Sequence, residues 1–156
     1  MQLRGTDIVV DKIRARKNII SGSGATASLS EADSGSLVLM DRAAGIVFTL
    51  PAACKIGTTY DFVVSTSVTS NAYKVITGAG TELLTGGYVN VDTDTSNAVA
   101  VFTGNNSTHV AVSMNGTTTG GLVGTRLTFT KLTSTQWLVE GQVNGSAIVA
   151  TAFATS

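Results

Sequence analysis

The sequence contains a single cysteine, Cys54, among 156 residues. One cysteine allows neither an intramolecular disulfide nor a cysteine-rich metal site, which is typical of a protein made in a reducing cytosol. Long apolar runs are also missing, because no stretch approaches the ~18 uninterrupted apolar residues that a membrane-spanning helix needs. Residues 1–17 have charges within their short apolar run and show no secretory signal pattern. We therefore expect synthesis in a cytoplasm and no contact with a membrane.

Charged and aromatic residues are scarce, at 13% and 6% of the chain. Because hydrophobic residues reach 43%, the composition describes a globular chain rather than a disordered one. Thr, Ser and Asn must then cover much of the surface, and Thr is a good strand former. The composition favours an all-β protein, and the chain length favours a single domain.

The few charges are unevenly distributed. Residues 1–20 contain five basic and two acidic side chains, a net charge of +3, so the rest of this neutral chain has −3. This asymmetry favours an arm that contacts an acidic surface or nucleic acid over a solvated, frayed end. The Gly/Ser-rich residues 21–28 predict a flexible linker. The predicted organisation is an extended basic arm with its linker, residues 1–28, and a β-rich body, residues 29–156.

The body consists of short apolar or alternating runs separated by turn residues. Ser30 and Asp33 match a capping box for one short helical turn, closed by Gly35. Residues 52–57, which follow the strand-ending Pro51, predict at most one further turn of helix. In the remaining runs, apolar residues recur at every second position, which is typical of strands. The runs therefore predict a β-sandwich or a jelly-roll-like barrel of about ten short strands. The ten runs are SLVLM, IVFTL, TYDFVVS, AYKVIT, YVNV, AVAVF, THVAVSM, TRLTFT, QWLVE and IVATAF.

The only histidine, His109, precedes a glycine-rich stretch, and the two together raise the question of a catalytic or phosphate-binding site. A catalytic imidazole needs a nucleophile and an orienting acid, but Ser113 on the same strand face is about 13 Å away at ~3.3 Å per residue. Residues 120–125 (GGLVGT) lack the Lys-Ser/Thr end of a phosphate loop and precede a strand instead of a helix. Asn115-Gly116 is a favoured hairpin dipeptide. The stretch predicts turns, no catalytic residue and no enzyme.

Two further candidate binding sites have weak support in the sequence. Asp92 and Asp94 could bind Ca²⁺ together with backbone oxygens, but the Gly and Glu of an EF-hand loop are missing, which favours a solvated loop. Trp137 could stack on a sugar, yet a lone Trp in an alternating strand is more often a core residue. We therefore expect no metal site and no cofactor.

Several motifs in order resemble those of bacteriophage capsid decoration, or cement, proteins. Residues 29–77 contain a Ser/Asp/Gly opening, a Thr-Leu-Pro strand end, a Gly-then-aromatic strand and a Thr-Ser-Asn-Ala-Tyr stretch. The resemblance continues through residues 107–121 (STHVAVSMNGTTTGG) and 135–141 (TQWLVEG). It covers roughly residues 29–156, whereas the arm has less of the pattern.

The resemblance implies a structural virion protein on the outer surface of an icosahedral head, made in the host bacterial cytoplasm. Such a protein bridges neighbouring major capsid subunits, resists internal pressure and has no catalytic or cofactor residues. The resemblance also implies a homotrimer, although frequency alone favours a dimer. The predicted partners are the major capsid protein and further copies of this chain, with no nucleic acid and no membrane.

A mean hydropathy of +0.29 also predicts that another copy covers some apolar strand faces. The candidate residues for this contact are Val99, Val101, Ile148, Val149 and Phe153.

Capsid contact is predicted for the arm, because its charges lie just before the linker and its apolar residues could add to a partner's sheet edge or groove. Two alternatives stay open. A tail fibre or spike domain would adjoin a long repetitive shaft, and a glycan-binding β domain would show clustered aromatics; neither feature is in the sequence. The predicted capsid-binding residues are Arg4, Ile8, Val9, Val10, Lys12, Ile13, Arg14, Arg16 and Lys17.

Overall fold

The structure, a computed structural model, describes residues 17–94 and 98–156. In these ranges the regular elements are twelve strands and one short 3₁₀ turn, Glu31–Asp33. None of the elements in the described ranges is a helix that is long and apolar enough to cross a membrane. The strands are β1 (Ile19–Ser21), β2 (Thr26–Ser28), β3 (Leu37–Met40), β4 (Ile46–Thr49), β5 (Thr59–Val64), β6 (Tyr73–Ile76), β7 (Leu83–Asp92), β8 (Val99–Thr103), β9 (Ala111–Met114), β10 (Arg126–Thr133), β11 (Gln136–Gly145) and β12 (Phe153–Ala154).

The strands form two packed sheets, which confirms the predicted all-β sandwich. Sheet A has the order β1-β3-β5-β10-β11-β7-β8, and sheet B has the order β12-β9-β6-β4-β2. Five of the ten strand pairs in the described part of the chain are parallel. A jelly roll is built from antiparallel strands, so of the two predicted architectures the sandwich is the one observed.

The first six strands alternate between the sheets and wind as three turns of a coil. Strands β1, β3 and β5 are successive parallel neighbours in sheet A, and β2, β4 and β6 are successive parallel neighbours in sheet B. As a consequence, β1 and β2 are the edge strands of both sheets at one end of the sandwich. The opposite edges are β8 and β12.

The prediction of a flexible linker at residues 21–28 is wrong. Ser21 ends β1, and three residues of the same stretch form β2. Between them, Gly22 is buried, and a Cβ atom there would lie 1.9 Å from Cδ1 of Ile46. The stretch is ordered because its backbone pairs with the first strands of the body, which its Gly/Ser composition alone does not reveal.

Aromatic side chains join the two sheets in the core. The ring of Phe62 in sheet A makes edge-on contacts with Phe48 of sheet B and Phe129 of sheet A, with ring centroids 5.5 and 5.3 Å apart. Trp137 is fully buried, which confirms that it is a core residue. Complete burial of each large apolar side chain contributes roughly 1.5–3 kcal/mol.

Other local predictions are confirmed in part. Each of the ten runs contains strand residues, although in IVATAF only Phe153, the first residue of β12, is paired. The capping box is present, with the Ser30 backbone N–H donating to the Asp33 carboxylate at 2.8 Å. The expected helical turn at residues 52–57 is wrong: these residues form bends and turns, and the N–H of Gly57 donates to the Lys131 carbonyl of β10.

Candidate interaction site

A polar cluster lies on the outer face of sheet A, the face directed away from sheet B. Its centre is Asp61 of β5, which is only 6% exposed. The register places Thr128 of β10 directly opposite Asp61, and strand alternation directs Arg126 to the same face. The Asp61 carboxylate accepts hydrogen bonds from Thr128 Oγ1 at 2.6 Å, from Arg126 Nη2 at 3.0 Å and from Lys17 Nζ. Three donors, 44, 65 and 67 positions from Asp61 in the chain, thus converge on one carboxylate.

These contacts decide the charge state of Asp61. Burial alone raises the pKa of this carboxyl, but the hydrogen bonds from Lys17, Thr128 and Arg126 and the Lys17 charge outweigh burial. The pKa of Asp61 is therefore held below its ordinary value. The carboxylate stays ionised at neutral pH and holds Lys17 and Arg126 on the sheet.

The cluster bears on the predicted capsid-binding arm. Lys17 is the one predicted capsid-binding residue within the described ranges, and its ion pair with Asp61 places it on the outer face of sheet A. The Lys17 side chain remains 52% exposed and that of Arg126 62% exposed. The other predicted capsid-binding residues lie outside the described residues: Arg4, Ile8, Val9, Val10, Lys12, Ile13, Arg14 and Arg16.

An apolar patch occupies the far edge of the same face, and we call it the valine patch. Val91 of β7 pairs with Val99 of β8, and Val89 pairs with Val101. Val99 and Val101 are 63% and 70% exposed. The sequence did not predict that Val89 and Val91 belong to this patch, because only the strand register shows that they lie beside the two β8 valines.

The other residues predicted to contact a second copy have different surroundings. Ile148 is 88% exposed in the loop before β12, and Val149 is half-buried. Phe153 is buried, with its ring 5.1 Å from that of Tyr88, so the prediction that another copy covers Phe153 is wrong. Residues of its own chain cover this side chain.

His109 is held by local contacts at the start of the β9 region. Its Nδ1 accepts a hydrogen bond from the backbone N–H of Asn105 at 3.1 Å, and its ring stacks on that of Phe153 at 5.3 Å. The backbone N–H of Ser113 donates to the Ala152 carbonyl at 2.7 Å. The geometry matches the predicted hydrogen-bonded histidine, which orders the loop that precedes β9.

The glycine-rich stretch forms turns, as predicted. Asn115 Oδ1 accepts the backbone N–H groups of Thr117 and Thr119 at 2.9 and 3.1 Å, and Gly116 has a φ of +85°. The connection does not form a hairpin between β9 and β10, because it crosses from sheet B to sheet A. Within it, Thr117 and Gly120 form a short antiparallel bridge.

Asp92 and Asp94 bind backbone and neighbouring groups. Asp92 is buried and accepts the N–H of Asp94 at 3.0 Å, so the solvated-loop prediction is wrong for Asp92. Asp94 is exposed and accepts the N–H of Ala147 at 2.8 Å. In residues 17–94 and 98–156, no group of three or more His, Cys, Asp or Glu side chains could hold a metal ion.

Comparison with known protein families finds no matching family, and comparison with curated proteins finds no match. The resemblance to capsid decoration proteins therefore rests on the sequence motifs alone.

Proposed function

We propose that this protein decorates the outer surface of an icosahedral phage head and stabilises it by bridging major capsid subunits. The main supporting observation is the position of Lys17, the last basic residue of the arm. Its ion pair with Asp61 attaches the arm to the outer face of sheet A, beside the exposed Arg126. The basic segment thus joins the body beside two exposed cationic side chains, Lys17 and Arg126, and such positive charge is suited to an acidic partner surface.

The body is a close-packed sandwich that supports this contact. The coil of β1–β6 ties both sheet edges into one core, and the rings of Phe48, Phe62 and Phe129 pack across it. A close-packed core deforms little under load. In this proposal the arm supplies attachment, the sandwich transmits force between capsid subunits, and no step of the function is catalytic.

We further propose that the protein acts as a homotrimer. The valine patch supports self-association because two β8 valines are more than half exposed on an edge strand. Three arms on one trimer would bind the head with avidity, since each bound arm holds the others at high effective concentration.

The experiment uses heads of the phage that encodes the chain, prepared without this protein. Full-length protein should saturate them, and removal of residues 1–16 should weaken binding at least about tenfold, the equivalent of one or more charged contacts. Lys17 is kept, so β1 and the contact with Asp61 remain in place. Co-sedimentation measures binding, electron cryomicroscopy locates the protein, and circular dichroism checks that the body folds.

The His109→Ala variant is the matched control, because His109 lies outside the Asp61 cluster and the arm. It should bind heads like the wild type. Full-length protein that fails to bind the heads contradicts the proposed function, and binding to host cells or glycans instead favours the fibre or glycan-binding alternative. Truncated protein that decorates heads as densely as the full chain contradicts the role of the arm only.

A further inference from the structure

Sheet A also contains a buried ion pair, between Lys131 and Glu82. In β10, Leu127, Phe129 and Lys131 occupy the alternate positions that face sheet B, so the lysine lies in the core. The side chains of Lys131 and Glu82 are 1% and 4% exposed. Lys131 Nζ donates a hydrogen bond to Oε1 of Glu82, the residue that precedes β7. Lysine and glutamate are almost never this deeply buried unless they are paired, as they are here.

The surroundings of the pair compensate its charges poorly. Lys131 lies over the indole ring of Trp137, its direct neighbour on β11, with Nζ 5.1 Å from the ring centroid. Among the described residues, Glu82 Oε2 and Trp137 Nε1 make no hydrogen bond. A buried ion pair with unsatisfied atoms costs desolvation free energy that the mutual attraction of the charges does not fully return.

The neutral form of the pair is therefore accessible. Desolvation by burial lowers the pKa of Lys131, although the nearby Cys54 opposes this shift. Transfer of one proton from the ammonium to the carboxylate yields an amine and a carboxylic acid, both uncharged and in contact. An amine held against a carboxyl group in a dry site is a reactive arrangement, because its position replaces the entropy of a bimolecular encounter.

We propose that Lys131 and Glu82 condense within the folded chain to form an isopeptide bond. The lone pair of the neutral Nζ attacks the Glu82 carboxyl carbon, and a C–N bond forms. One C–O bond of the acid then breaks, and the departing hydroxyl takes a proton from nitrogen and leaves as water. The product is a secondary amide with no charge, and no oxidant, reductant or metal takes part.

The bond would link two strands that are not neighbours. In sheet A, β11 lies between β10 and β7, so the amide would span β11 above Trp137. The two residues are 49 positions apart in the chain. This covalent tie, at the end of the sheet where β7 begins, goes beyond the proposed capsid function and does not depend on it.

Mass spectrometry of the purified, denatured full chain tests the proposal. The intact mass should be lower than that of the sequence by one water. Tryptic digestion should yield a branched peptide that contains both Glu82 and Lys131, with no cleavage after Lys131. Localisation by fragmentation is needed because Asn115-Gly116 and Asn144-Gly145 can lose ammonia. The ion pair between Lys17 and Asp61 is the internal control: it lies at the surface and should remain uncondensed.

The Lys131→Met variant should keep its full mass, since it has no amine. In Glu82→Gln, condensation would release ammonia and give the same final mass as the condensed wild type. If either variant fails to fold, the tryptic digest of the wild type tests the proposal by itself. Folded wild-type protein that keeps its full mass, fresh and after long incubation, and that trypsin cleaves after Lys131, overturns the proposal.

Discussion

Asp61 and Lys131 are both charged residues in strands of sheet A, and they lie on opposite faces of that sheet. On the outer face, Asp61 receives donors from three side chains, two of which remain half exposed to water. On the inner face, Lys131 has one carboxylate partner and an aromatic ring. The first arrangement supports an ordinary stable ion, whereas the second favours loss of charge.

At the residue scale we predict that Asp61→Asn lowers the free energy of unfolding by about 1–3 kcal/mol at neutral pH, because hydrogen bonds to a charged acceptor are lost. The folded pKa of Asp61 lies below its ordinary value of ~3.9. Its stabilising contribution is therefore complete above that ordinary value and is lost as pH falls through the folded pKa. Urea unfolding from neutral to acid pH measures both effects.

The Glu140→Gln variant is the control, since Glu140 is an exposed carboxylate on β11. Its free energy of unfolding should change by no more than about 0.5 kcal/mol. Equal acid sensitivity in Asp61→Asn and the wild type would show that this carboxylate is not stabilised by folding.

Among the elements, the connection between β9 and β10 determines how the chain passes from one sheet to the other. Asn115 folds the loop back on itself through its side-chain oxygen. Gly116 then approaches the Val68 backbone, and a Cβ atom on Gly116 would lie 2.1 Å from the Val68 carbonyl oxygen. Backbone packing, in addition to backbone conformation, therefore requires glycine here.

We predict that Gly116→Ala destabilises the protein more than Gly35→Ala. Both glycines have nearly the same positive φ, +85° and +83°, so both alanines cost roughly 1–2 kcal/mol for that conformation. At Gly35 an added Cβ meets nothing within 4 Å, whereas at Gly116 the Val68 carbonyl must move. The additional cost should be about 1–3 kcal/mol, measured by chemical unfolding. Equal costs at the two positions would contradict the close approach.

The whole molecule presents two distinct regions on the outer face of sheet A. The polar cluster around Asp61 lies near the β1 edge, where the basic arm joins the body. The valine patch lies at the β8 edge. The two regions are at opposite edges of the sheet. A single copy could therefore contact the capsid through the polar cluster and a second copy of the chain through the valine patch.

At the scale of the assembly we predict that the wild type sediments as a trimer and that Val99→Lys combined with Val101→Lys sediments as a monomer. Lysines on an exposed edge strand oppose pairing with another chain. Circular dichroism should remain unchanged, because both valines point outward. The control is Ile56→Lys, a similarly exposed residue outside the patch, which should remain trimeric. A monomeric wild type, or a trimeric double variant, would refute the assignment.

The sequence by itself determined what depends on near neighbours. The period of two predicted strands, in which alternate residues such as the buried Leu127 and Phe129 face the core, and Asn115-Gly116 predicted a turn. Strand faces and turn conformations both follow from residues a few positions apart. The buried Trp137 and the two-sheet class followed from the same local pattern together with the composition.

The tertiary structure alone decided what depends on register and strand order. Asp61 meets Arg126 from 65 positions away, Lys131 meets Glu82 across β11, and the Gly/Ser stretch of residues 21–28 joins both sheets. A shift of one residue in any pairing would turn these side chains to the other face. Such contacts arise only when distant strands are placed side by side, so no local pattern in the sequence contains them.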